Sequence, residues 1–155
     1  VPALARDETV RALGALEVAG AFTIFIASCF GKKIFDEVYD RLLKRPLEPF
    51  LDRLFAPEAA AHGRSVEIRD VIYLEDIDTT VVVRAIVEQE EAHAANALLL
   101  NGHRVAHAYI AAHGRKAPVH CHTIQSGQVN LEPELYLSLE HEHRTQVQRS
   151  GPPEA

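Results

Sequence analysis

Histidine is the residue whose placement in this chain could do chemistry. Six of its nine histidines fall between His93 and His122. His103 and His107 stand four residues apart, so a helix puts both on one face. His120 and His122 flank Cys121, so a strand points both imidazoles to one side and the thiol to the other. Neutral imidazoles in this number suit a divalent ion, and His103, His107, His120 and His122 form the candidate metal site, with zinc as the candidate cofactor. The competing reading is a solvated surface. With Leu98 as the centre of a buried helix face, at about 100° per residue, His93, His103 and His107 turn toward water. No HExxH and no CxxC occurs, so the metal reading rests on spacing alone.

Other reactive types are less organised. Glu75, Asp76 and Asp78 lack the calcium-loop pattern and read as an acidic turn, and Glu88, Glu90 and Glu91 read as helix-start charges. Cys121 has histidine neighbours, but adjacent residues on a strand face opposite ways, so neither neighbour activates it. No GxSxG, P-loop or GxGxxG is present. No catalytic set emerges, and a non-catalytic role is expected.

The 155 residues fit one domain. A net charge of −6 leaves no basic patch to neutralise phosphates, which argues against nucleic acid as a partner. Two cysteines, Cys29 and Cys121, make no disulfide framework and point to a reducing cytoplasm.

The elements that must position these residues fall into three stretches. Residues 1–31 read as an apolar N-terminal helix. Between Ala12 and Gly31 the only charge is Glu17, and Lys32 and Lys33 follow. Such a run either spans a membrane from its cytoplasmic face or packs as a core helix. Residues 32–139 read as an α+β domain. Apolar pairs from Ile34/Phe35 to Leu54/Phe55 recur at helical spacing, with a second helix starting near Pro46, and Ala56–Gly63 is a linker. Ser65–Leu74 and Thr79–Val87 are strands joined by a turn at Glu75–Asp78. Val119–Gln125 is another strand, Ser126-Gly127 a turn, and Val129–Leu139 holds a last extended stretch. Residues 140–155 are polar and read as a flexible tail.

Residues 88–113 decide the topology. Eight alanines, the glutamates at the start and Gly114 past the end favour a helix, whereas Asn101-Gly102 between apolar runs signals a hairpin. The helix, which the balance favours, gives an α+β fold with N-terminal helices packed on a small antiparallel sheet in a ββαβ plait. The hairpin gives a curved sheet that resembles the NTF2-like fold, on Leu51-Asp52-Arg53-Leu54-Phe55-Ala56-Pro57-Glu58 ahead of the sheet and Ile124-Gln125-Ser126-Gly127-Gln128-Val129 near its end. That resemblance implies a small-molecule pocket, an enzyme or a membrane-tethered domain, with Tyr73, His107, Tyr109 or His122 lining any cavity. The apolar helices exceed what one short sheet covers, so the leading expectation is a binding or assembly module that docks on itself as a homo-oligomer, on another protein, or on a membrane.

Overall fold

A computed structural model describes residues 21–31, 40–44, 46–55 and 65–150. Residues Ala21–Ser28, expected within an apolar helix, instead form the first strand, β1. Its sequence AFTIFIAS is rich in β-branched and aromatic types, which fit a pleated surface. A continuous apolar run is also how a strand in parallel pairing reads, and periodicity alone does not separate it from a buried helix. β1 lies parallel to β2 (Ser65–Leu74), with Ala21 opposite Glu67 and Ser28 opposite Leu74. Among the described residues no helix is long and apolar enough to cross a membrane. Residues 1–20 of the 1–31 segment, the apolar pairs at residues 34–39 and the 56–63 linker lie outside the described residues.

Two helices stand between these strands, α1 (Asp40–Lys44) and α2 (Leu47–Leu54), the second starting just after Pro46 as expected. Leu42, Leu47, Leu51 and Phe55 are all buried in one core cluster, so their share of the apolar stripe is covered by the chain's own fold. β2 turns through Glu75–Ile77 into antiparallel β3 (Thr79–Glu88). Residues 89–94 coil as a 3₁₀ turn whose Glu88 amide donates to the Glu91 carboxylate at 3.2 Å, and α3 (Ala95–His113) follows. At its end the Gly114 N–H reaches the Ile110 carbonyl at 2.7 Å, with Gly114 at φ +76°.

β4 (Val119–Gln125) runs parallel to β3. Its outer edge carries β5 (Gln128–Val129), reached through Ser126 and Gly127 with φ of 54° and 75°, and then β6 (Glu134–Tyr136). The sheet is therefore mixed, not antiparallel, although the ββαβ order holds and the fold is α+β. The helix at 95–113 removes the curved-sheet alternative. Leu139–Ser150 form α4, with Glu142 and Gln146 buried, so residues 140–150 of the expected flexible tail are helical.

Gly102 explains the false hairpin signal. A Cβ there would meet Val83 Cγ1 at 2.5 Å and Ile124 Cδ1 at 2.9 Å, so glycine is what lets α3 settle onto β3 and β4. Here it serves close approach, not a turn.

Candidate functional site

Strand alternation splits the polar residues between two faces of the sheet. On the face under α3, Asp70 of β2, Val83 of β3 and His122 of β4 stand in one row, and Ile72, Val81 and His120 in the next. His103 of α3 comes down on Asp70, its Nε2–H donating to Oδ2 at 2.8 Å, with both side chains 1% exposed. The expected solvent-facing placement of His103 is thus wrong. The buried positions of α3 are Ala95, Leu99, Gly102, His103, Ala106 and Ile110, one residue out of phase with a stripe centred on Leu98. His93 is exposed and His107 half-buried.

The other imidazoles are occupied locally. His122 Nδ1–H donates to the Asn130 carbonyl at 2.9 Å, which leaves its Nε2 as a buried acceptor with no hydrogen-bond partner among the described residues. His120 Nε2 accepts from the Lys116 N–H at 3.0 Å, so its proton sits on Nδ1, also buried and without a hydrogen-bond partner among the described residues. Burial pushes His120 down to about 4, helped by the charges of His122 and Arg115, and burial also lowers His122. Tyr109 meets both in T-shaped ring contacts, at centroid distances of 5.8 and 6.3 Å. His107 stacks on Phe30 at 4.6 Å. The four candidate ligands therefore share one side of the sheet, but among the described residues no three His, Cys, Asp or Glu side chains are grouped as a metal ion requires.

A small apolar cleft lies beside His103 and His107, with Ile72, Leu74, Val81 and Ile110 among its walls. Tyr73, Tyr109 and His122 do not line it, and Tyr73 donates to Asp78 at 2.8 Å. Asp76 in the same acidic turn accepts from the Phe30 and Gly31 amides at 2.7 and 2.8 Å, tying β1 to the β2–β3 turn.

The opposite face is charged at its centre. Arg69 and Arg84 are directly opposed in the β2–β3 register. Arg84 Nε donates to Glu67 at 3.0 Å, while both terminal nitrogens of Arg69 donate to the carboxylate of Glu142 on α4. Cys121 faces this side, away from its histidine neighbours as expected, and burial pushes its thiol up to about 12. A thiol so shifted is an inert core residue at neutral pH.

Beyond β4 the outer edge is apolar and wet. Leu131, Leu135 and Leu137 are 71%, 45% and 76% exposed, and Val147 on α4 is 55% exposed. Asn130 fixes the loop that leads to them. Its side chain accepts from the Thr123 N–H at 2.6 Å and donates to the Glu132 carbonyl at 2.8 Å. The sequence held a signal for this edge in the odd-numbered leucines 131, 135 and 137, set among polar residues and Pro133. Comparison with protein-family models, curated proteins and solved structures returns no match.

Proposed function

We propose that this chain is a non-catalytic assembly module that pairs with a second copy of itself through the β6 edge. The observation that carries the reading is the row of exposed leucines, Leu131, Leu135 and Leu137, beside an outer strand that pairs on its inner side with β4. An exposed strand edge offers unpaired N–H and C=O groups, and a second antiparallel copy satisfies both chains at once. β6 is only three residues long and carries Glu134 paired with Arg149, so the apolar character of this edge comes from Leu135 within it and from Leu131 and Leu137 to either side in sequence.

Replacing Leu135 and Leu137 together by lysine tests this. Each leucine removed from water contributes about 1.5–3 kcal/mol, so losing two per chain from a symmetric pair weakens it by at least a hundredfold. Light scattering on a sizing column is expected to give a dimer for the parent chain and a folded monomer for the variant. A variant that associates as the parent does refutes the reading.

A further inference from the structure

The outer edge of β4 is covered in two pieces. β5 pairs with Ile124 and Gln125, and β6 pairs with Val119, His120 and Cys121. Asn130 closes the gap between them. Its N–H donates to the Thr123 carbonyl at 3.2 Å, and its side-chain oxygen accepts from the Thr123 N–H at 2.6 Å. One residue thus satisfies Thr123 as a ladder partner would. From below, His122 Nδ1–H donates to the Asn130 carbonyl at 2.9 Å, and the Asn130 side-chain amide reaches forward to the Glu132 carbonyl at 2.8 Å. Asn130 therefore latches to β4 the segment that carries Leu131, which is 71% exposed.

The inner half of this latch is not what packing alone would select. His122 is 0% exposed, and its Nε2 has no hydrogen-bond partner among the described residues. A buried polar atom without a partner costs free energy that an apolar side chain in the same place would not. The other ring nitrogen holds Asn130, so what offsets that cost is the placing of the loop.

We propose that Asn130 and His122 are positioning residues for self-association: they hold Leu131 where a second copy meets it, with His122 acting from inside the core. The inference rests on the self-association reading and adds which residues within each chain set its strength. β6 has anchors of its own, the buried Tyr136 and the Glu134–Arg149 ion pair at 2.7 Å, so loss of the latch releases Leu131 and leaves the strand in place.

Dimer dissociation constants of the full chain, measured by sedimentation while each variant is native, test this. Asn130→Ala removes both side-chain bonds, and His122→Val removes the bond from below. Burying one leucine is worth about tenfold or more in affinity, so each variant is expected to raise Kd by about that factor. His122→Asn carries an amide nitrogen where Nδ1 lies and is expected to dimerise as the parent does; a loss as large as that of His122→Val overturns the hydrogen bond as the cause. A latch that only stabilised the fold would lower the melting temperature and leave the Kd of folded chains unchanged. Unchanged Kd in both Asn130→Ala and His122→Val overturns the proposal. A cycle with Leu131 leaves the core intact and does not depend on how the His122 variants fold. In a Leu131→Ala chain, Asn130→Ala is expected to change Kd by less than about twofold, and a full tenfold change there overturns the route through Leu131. A parent chain that is monomeric at every concentration overturns the self-association reading itself. A dimer lost on the Leu135/Leu137 substitution, yet indifferent to Asn130→Ala, overturns the latch alone.

Discussion

Replacing Gly102 by alanine sets two effects of opposite sign against each other. On an exposed helix the change stabilises by up to about 1 kcal/mol, because alanine loses less backbone freedom on folding. Here the new methyl would sit 2.5 Å from Val83 Cγ1 and 2.9 Å from Ile124 Cδ1. Val83 is fully buried on β3, and its β-branched side chain has little rotamer freedom with which to move aside. Overpacking a filled core costs about 1–3 kcal/mol, and the stiff neighbour places this site at the upper end. The net expectation is a loss of about 1–2 kcal/mol, or a fall of roughly 2–8 °C in Tm. Urea unfolding should show a lower midpoint with an unchanged slope. In a Val83→Ala background the methyl has room, so the same substitution becomes neutral or stabilising, and the cycle isolates the contact. A Gly102→Ala chain as stable as the parent would refute the close approach of α3 to the sheet.

The buried histidines make stability depend on pH in a defined direction. His120 is depressed to about 4 by burial, and His122 and His107 are lowered by burial as well, whereas the unfolded chain takes up protons near 6.5. The unfolded state therefore binds more protons, and stability is full above about pH 7 and lost as pH falls through 6.5 toward 4, by up to about 1.4 kcal/mol per pH unit per group. Urea melts between pH 8 and 5 check this, and a flat profile contradicts it. Glu142→Ala leaves the buried guanidinium of Arg69 with only Glu67 among the described residues, at 3.6 Å, and should cost up to about 3–5 kcal/mol in the same assay. Replacing Arg69 and Glu142 together by methionine should cost much less; equal losses would contradict the ion pair as the source.

Some elements were legible because one local signal had no rival. The alternation of Ser65–Leu74 and the β-branched run after Asp78 fixed two strands within a residue of their bounds, and the positive φ at Ser126 and Gly127 is what that turn pair suggested. β1 was misread because a fully apolar segment carries no period, and parallel pairing with β2 is a long-range fact. Centring the buried face of α3 on Leu98, one residue out of phase, turns His103 to solvent, and its buried partner Asp70 lies 33 residues earlier. The polar sequence of α4 reads as a tail because its partner is distant too. Its inner face is Glu142 and Gln146, and only the cation of Arg69 across the sheet makes that face an inside. Local propensity could report none of these pairings. The leucine edge was visible as residues but not as a surface, since exposure depends on which side of β4 the chain returns to.

Self-association is the central claim, and sedimentation equilibrium of the parent chain across the micromolar range tests it most directly. The account predicts a mass that rises with concentration to twice that of one chain and returns to one chain when Leu135 and Leu137 become lysine. A single-chain mass at every concentration would contradict it.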